Sequence, residues 1–561
     1  MAILVFLVYF PTFSGEFLPV DDNRLIKNNR YIRTLHSPIS YLLQEDGVTH
    51  EFDARGYHTG YYRPLLNLTY FIDYKLWGLS APGFRVTNLF LHIICCFILF
   101  HFLQFLINDR SAALLATLIF AIHPVNTEAV SWVAARNNIL VTIFSISCLF
   151  FYIRGWEEGR RLSWIVSALT FALGILSKEM GFMVIPLLFL YQRLLSRTRR
   201  NIHEELLSYL PFIVVTVAYV FLRKAATATY FSPSEMAGFW NRVCFAPYVI
   251  LWNLRLIFLP YGLHSFVVDY PPIYLNWQFP AGLCYAGFLG IFIWKQRKNR
   301  LMIFSVLSFH IALFPTLNII PTSAITLVSM RWLYFPMVFL SFGIAQGARG
   351  LLKINSFIAR GIICSTLVYL GSYSYILNRS LWYNEDNFLK QEVLGFRNYY
   401  YYINYAALLT DTGRPDMALA YLEKTESFPK TRQRQGQWFN NMGAAYFRLR
   451  NYDESLKNFL KAVEYCPNEI EYSSNLGGAY TAVGDYAKGA FVLVEALKLA
   501  PHSVGLRKNL AVNFIETGRY EDAEIILGNI PEKEWENYGI EKIMERVRLG
   551  LPDLNGRREG M

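Results

Sequence analysis

Long apolar runs separated by short polar loops fill the chain as far as about residue 380, and beyond that point charged residues recur at helical spacing. The apolar segments lie near 1–11, 84–106, 111–122, 138–153, 163–177, 180–191, 207–222, 243–259, 279–294, 301–317, 329–347 and 356–377. A membrane-crossing helix needs about 20 apolar residues, and several of these runs are shorter. The pattern predicts an all-α chain with a polytopic membrane helix bundle at 1–380, whose first outer loop is 12–83. A soluble helical domain over 381–550 and a tail at 551–561 follow.

The soluble part repeats. Asn441-Met442-Gly443-(x2)-Tyr446 aligns with Asn475-Leu476-Gly477-(x2)-Tyr480 at an offset of 34, which continues through Ala462/Ala496 and Pro467/Pro501. A third copy starts at Asn509-Leu510-Ala511, and a looser one precedes the set at Asn404-Tyr405-Ala406. This is the tetratricopeptide period, and it predicts an α-solenoid of stacked helix pairs. Small residues at Gly443, Gly477, Ala462 and Ala496 let paired helices approach closely. Proline ends each second helix because it cannot continue the hydrogen-bond ladder.

Basic residues assign the sides of the membrane. Arg193, Arg197, Arg199 and Arg200 mark the loop 192–205 as cytoplasmic, and Lys295, Arg297, Lys298 and Arg300 do the same for 295–300. Segment 260–278 has no Lys or Arg and belongs outside. An even number of crossings between the two basic loops requires 243–259, with its Asn253 and Arg255, to be re-entrant or interfacial. That leaves about eleven crossings and places Asp21-Asp22 and the carboxy-terminal domain in one outer compartment.

Composition agrees with this division: 54% of the 561 residues are hydrophobic and 17% charged, against roughly 25% charged in a soluble protein. The net charge of +11 comes in good part from short loops between apolar runs and does not point to nucleic acid. Six of the seven cysteines lie in or beside apolar runs without CxxC spacing, which argues against disulfides and structural zinc. No small-residue cleavage site precedes Asp21, and the first apolar segment is short for a span.

Charged groups at the ends of apolar runs are expensive unless used. Asp21, Asp22, Arg63, His123, Glu128, Arg136, Lys178, Glu179, Asp269 and Arg331 all fall near the outer face on this topology. A transporter would place such charges near the bilayer midplane instead. The stretches carrying them are Asp21-Asp22, YRPL at 62–65, HPVNTEAV at 123–130, SKEMG at 177–181 and RWLYFP at 331–336. Together with the repeats they resemble, in order and over nearly the whole chain, the transmembrane-and-tetratricopeptide O-mannosyltransferase family. These are polytopic enzymes of the GT-C fold class. The sequence departs from the family pattern at Arg85, Asn138 and Met330, where His, an acid and Glu are usual.

The resemblance implies a membrane glycosyltransferase that moves a sugar, mannose by analogy, from a polyprenyl-phosphate donor to Ser/Thr hydroxyls of extracytoplasmic proteins. A hydroxyl needs a base to become a nucleophile, and Asp21 or Asp22 is the expected base, the other orienting the acceptor or a metal. The departing lipid phosphate needs fixed cations: Arg331 and Lys178, with Arg63 and Arg136 in support. Glu128 joins the catalytic set, and His123, Glu179 and Asp269 are expected around the sugar. The pattern leaves a divalent metal open, with Asp22 and His123 as its candidate ligands. Asn404, Asn441, Asn475 and Asn509 share one repeat position and resemble the asparagine ladder with which such arms hold a polypeptide backbone. The alternative for the asparagines is local bonding within the solenoid. The expected partners are the sugar lipid, an acceptor polypeptide and membrane lipids, in a bacterial inner membrane or, alternatively, the endoplasmic reticulum. Two other readings stand beside this one: a non-catalytic scaffold or transporter with a recruiting arm, and a transferase acting on lipid or polysaccharide.

Overall fold

The computed structural model describes residues 1–19, 21–27, 29, 32–33, 48–52, 58–226, 239–265, 278–319, 328–354, 356–395, 399–426, 431–531, 535 and 539–549. Asp269 and the tail 551–561 lie outside them. The chain divides into two compact units, Met1–Phe396 and Arg397–Met561. The division comes later than the expected 380/381 because helix Glu385–Gly395 packs into the first unit. Its Phe388 ring lies against Trp132 and Trp382, and its Glu392 accepts a hydrogen bond from the Ser265 amide at 2.7 Å.

Among the described residues, four helices of the first unit, against about eleven crossings expected, are long and apolar enough to cross a membrane: Ala81–Ile107, the run Val133–Glu158, Ile202–Ala226 and the run Met330–Leu352. Arg110–Ile122 and Pro124–Ser131 make a fifth if the pair, bent by 55°, is one span. Shorter apolar helices stand at Ala2–Ser14, Arg161–Ser177, Pro280–Lys295 and Arg300–Thr316. The expected first outer loop contains ordered elements: a strand pair, Val48–Phe52 against His58–Tyr62, and helix Pro64–Trp77.

The bend follows from the sequence. Asp109 caps the start of Arg110–Ile122 by accepting from the Ala112 amide at 3.0 Å, and Pro124 denies the helix its next amide donor. The carbonyls freed at the break find side chains, as they must away from water. Asn126 donates to the Phe120 carbonyl at 2.6 Å, and Ser374 donates to the Ile122 carbonyl at 2.7 Å. The broken segment therefore runs through the centre of the unit, and residues 121–143 are all buried. Helix Ile202–Ala226 is its opposite, with only 17% of its apolar window covered by protein.

The second unit is a solenoid of helix pairs, among them Arg432–Arg448 with Tyr452–Tyr465 and Ile470–Ala482 with Tyr486–Leu499. Val504–Glu516 with Tyr520–Gly528 continues the series. Asn404, Asn441, Asn475 and Asn509 each sit on the first helix of a pair. Gly443 and Gly477 make the close approaches: an added Cβ would stand 2.7 Å from the Phe459 ring and 2.4 Å from Leu493. Between paired helices the chain turns through the left-handed region at Arg450, Gly484 and Gly518.

Candidate active site

The central feature is a guanidinium held between two carboxylates. Arg331 lies on the short helix Met330–Leu333, and its Nη1 donates to Asp21 Oδ2 at 2.9 Å. Its Nε stands 3.5 Å from Glu128 Oε1, and its backbone amide donates to Glu128 Oε2 at 2.9 Å. Ser329 donates to both Glu128 oxygens, at 2.9 and 3.1 Å. The guanidinium lies 4.7 Å from the Trp132 ring centroid, within cation–π range. Glu128 is fully buried, whereas the Asp21 and Arg331 side chains remain 20% and 17% exposed. Of this group, only the ion pair reaches both solvent and the protein interior.

The adjacent acid is placed differently. Asp22 is fully buried and accepts from the Leu18 amide through Oδ2 and from the Ala134 amide through Oδ1, both at 2.8 Å. It ties the first segment to the loop that carries Trp132. Burial pushes its carboxyl up to about 7, against the opposing pull of the two amides and Arg85. Both of its oxygens are engaged by backbone amides. His123 is in the same position: Nδ1 accepts from the Val125 amide at 3.3 Å, and Nε2 faces the Ile257 carbonyl at 3.2 Å. Among the described residues no three His, Cys, Asp or Glu side chains gather as a metal site.

Arg136, expected to assist at phosphate, has no exposed surface. Its Nη2 pairs with Asp73 and its Nε donates to Asn88 Oδ1 at 2.6 Å, while the guanidinium lies 4.8 Å from the Tyr70 ring. That arrangement makes it a strut between helices Pro64–Trp77, Ala81–Ile107 and Arg136–Glu158. A second charge group stands at the start of Glu179–Met183, where buried Arg63 Nη2 meets Oε2 of the half-buried Glu179 at 3.2 Å. Lys178 donates to Asn138 Oδ1 at 2.6 Å. Burial pushes the Lys178 amine well below the usual lysine range, and the nearby Arg63 and Arg331 cations push it further. Burial raises Glu179, but the Arg63 and Arg223 cations together with its hydrogen bonds outweigh it and hold the carboxyl below its usual range. Lys178 thus feels both charge groups at once, with Glu179 and Glu128 opposing the two arginines.

In the repeat unit the asparagine amides make bonds within the solenoid. Asn404 donates to the Tyr400 carbonyl at 2.7 Å on its own helix. Asn441 donates to the Ile403 carbonyl at 3.0 Å, Asn475 to Asn440 Oδ1 at 2.9 Å and Asn509 to the Ser474 carbonyl at 3.0 Å. Each amide has two N–H groups and a carbonyl, so these ties leave the half-buried side chains with further bonding capacity.

Comparison with known proteins follows the same two units. Residues 64–222 match the dolichyl-phosphate-mannose-protein mannosyltransferase family, and 436–469 and 480–535 match tetratricopeptide repeats. The protein O-mannosyl-transferase F38B6.6 of Caenorhabditis elegans is 26% identical over 59% of this chain and 48% of its own length. The mouse TMTC3 protein is 21% identical over 80% of this chain and 49% of itself. The chain resembles the TMTC protein O-mannosyl-transferases. Mouse TMTC4 is 31% identical over 36% of this chain and 30% of its own length, so the TMTC-like chain spans about half or less of the curated relatives it matches. Among solved structures, the Cut9-Hcn1 hetero-tetramer aligns at 13% identity over 91% of this chain and 98% of that one, with a TM-score of 0.27, too loose to define a shared fold.

Several residues that build the site have no motif. Trp132, Ser329, Asp73 and Tyr219 each act through a partner far along the chain, and Arg85 does so too, donating from Nη1 to the Thr12 carbonyl at 2.6 Å. Two of them carried a signal: Arg85 as a departure from the family pattern, and Asp73 as a lone acid in the largely apolar LTYFIDY stretch.

Proposed function

We propose that the chain is a membrane glycosyltransferase that carries a sugar, mannose by family analogy, from a polyprenyl phosphate to a Ser or Thr hydroxyl of an extracytoplasmic polypeptide. The observation that carries this reading is the half-open Asp21–Arg331 pair, backed by buried Glu128 and flanked by the Lys178, Arg63 and Glu179 group. In the transfer, the bond from the sugar's anomeric carbon to the phosphate oxygen breaks as the bond to the acceptor oxygen forms. Asp21 takes the hydroxyl proton. It is the one of the two acids with exposed carboxylate surface, while Asp22 holds the Trp132 loop in place. The phosphate leaves with added negative charge, which Arg331, Lys178 and Arg63 stabilise from fixed positions. Glu128 keeps Arg331 aimed through both its side chain and its backbone amide. Arg136 is left out of the phosphate set because it is sealed.

The reading needs the acceptor and Asp21 in one aqueous compartment. The basic loops 192–205 and 295–300, with 243–259 read as re-entrant, support placing them on the same side. The repeat unit, through Asn441, Asn475 and Asn509, is the proposed grip on the acceptor. The test is transfer by the purified chain in detergent from polyprenyl-phosphate mannose to candidate polypeptides. Transfer by wild type and its loss in Asp21→Asn is the expected result. Transfer to lipid or polysaccharide but to no polypeptide would overturn the acceptor, and equal activity of wild type and Asp21→Asn would overturn the site.

A further inference from the structure

Helix Ile202–Ala226 faces mostly outward, yet it buries Ser208, Phe212, Tyr219 and Ala226. The hydroxyls of these buried residues differ. Ser208, at one end, bonds Tyr152 Oη at 2.8 Å. Tyr219, near the other end, is only 3% exposed, and its hydroxyl has no hydrogen-bond partner among the described residues. Leaving a buried hydroxyl unpaired is costly, so a native orphan asks for an explanation.

The surroundings of Tyr219 supply one. Its ring lies 5.6 Å from that of Tyr62 and 5.5 Å from that of Phe182, which places it beside YRPL and SKEMG. It is within electrostatic reach of Glu179, Arg223 and Arg63. Glu179 has an orphan of its own: Oε2 pairs with Arg63, but Oε1 is buried without a hydrogen-bond partner among the described residues. The phenol and this oxygen do not bond each other, so both are available to a third group. A carboxylate oxygen only accepts, and a phenol both donates and accepts. A sugar hydroxyl satisfies the pair by donating to Glu179 and accepting from Tyr219. A phosphate oxygen would meet the carboxylate with like charge. The walls are aromatic, which suits the apolar face of a sugar ring.

We propose that Tyr219 and Glu179 together hold a hydroxyl of the donor's sugar ring, and that Tyr219 thereby helps set which sugar is transferred. This rests on the reading of the chain as a sugar transferase. The test compares wild type and Tyr219→Phe, as full-length protein in detergent, with mannosyl- and glucosyl-phosphopolyprenol as donors and sugar-free phosphopolyprenol as inhibitor. The substitution keeps the ring and removes only the orphan hydroxyl. KM for the preferred sugar lipid is expected to rise about tenfold, discrimination between the two donors to shrink, and inhibition by phosphopolyprenol to stay unchanged. Without donor, Tm is expected to hold or rise, because an unpaired buried group is gone. Unchanged KM and donor preference would overturn the assignment while leaving the transferase reading intact. Weakening of phosphopolyprenol inhibition to the same extent would overturn it in favour of a phosphate or structural role. Absence of transfer from either donor by wild type would remove the reading and this assignment together.

Discussion

In the repeat unit, Asn441, Asn475 and Asn509 bond residues 38, 35 and 35 positions back, one repeat away each time. In the membrane unit, Arg331 reaches Asp21 across 310 positions and Arg63 reaches Glu179 across 116. The first set is a local device copied at a fixed period. The second exists only once the bundle has closed, and burial then sorts its members. Arg136 and Asp22 are sealed and act as ties, while Asp21 and Arg331 keep a face toward water. What this teaches is that a charge near a membrane face is not functional by position alone; what its partner leaves accessible decides.

The sharpest way to break the contrast is to compare Asp21→Asn with Arg136→Met. Asp21→Asn is expected to lower transfer by about 10³-fold with Tm nearly unchanged. Arg136→Met leaves Asp73 buried and unpaired, and is expected to cost about 3–5 kcal/mol of stability in a denaturation series. Matching stability losses in the two variants would erase the distinction between tie and reacting group.

The repeats and the paired acids were legible because both are local: a period of 34 and two adjacent letters suffice to see them. The resemblance of the ordered motifs extended this to the charged set. Which of Asp21 and Asp22 keeps its carboxylate in contact with water was not legible, because that depends on the Leu18 and Ala134 amides, and Ala134 lies 112 positions from Asp22. Arg136 looked like a ligand because its sealing partner Asp73 sits in a segment read as a loop, which is a helix. The 55° bend after Ile122 was half visible in His123-Pro124, but the side chains that satisfy its carbonyls come from both sides of the break.

Asp22 offers a pH test of the sealed class. Its carboxyl is raised from 3.8 to about 7 in the fold, so the native state holds a proton that the unfolded chain has released. That contribution to stability is present below about pH 4 and lost as the pH climbs through about 7. The Tm difference between wild type and Asp22→Asn is therefore expected to be greatest at the acid end and to narrow up to neutrality. A difference that widens with pH would mean that Asp22 is charged in the fold.

Smaller effects sharpen the repeat side. Asn475→Ala removes the tie to Asn440 and is expected to cost about 1 kcal/mol of repeat-unit stability. It is also expected to weaken polypeptide binding; unchanged affinity in a fluorescence titration would leave the asparagines as solenoid ties alone. Arg450 takes the left-handed turn, φ 61°, that glycine fills at 484 and 518. Arg450→Gly is expected to stabilise the unit by about 1 kcal/mol in thermal unfolding.

The proposed reaction stands or falls on where the two units meet water. Impermeant maleimide labelling of sealed membrane vesicles tests this, with single cysteines placed at the exposed Glu16, beside the Asp21 segment, and at the exposed Lys498, in a background whose native cysteines are serine. Both positions are expected to react in vesicles of one orientation and to be protected in the other. One position reacting while the other is protected would put the acceptor grip and the carboxylate on opposite sides of the bilayer and contradict the proposed reaction.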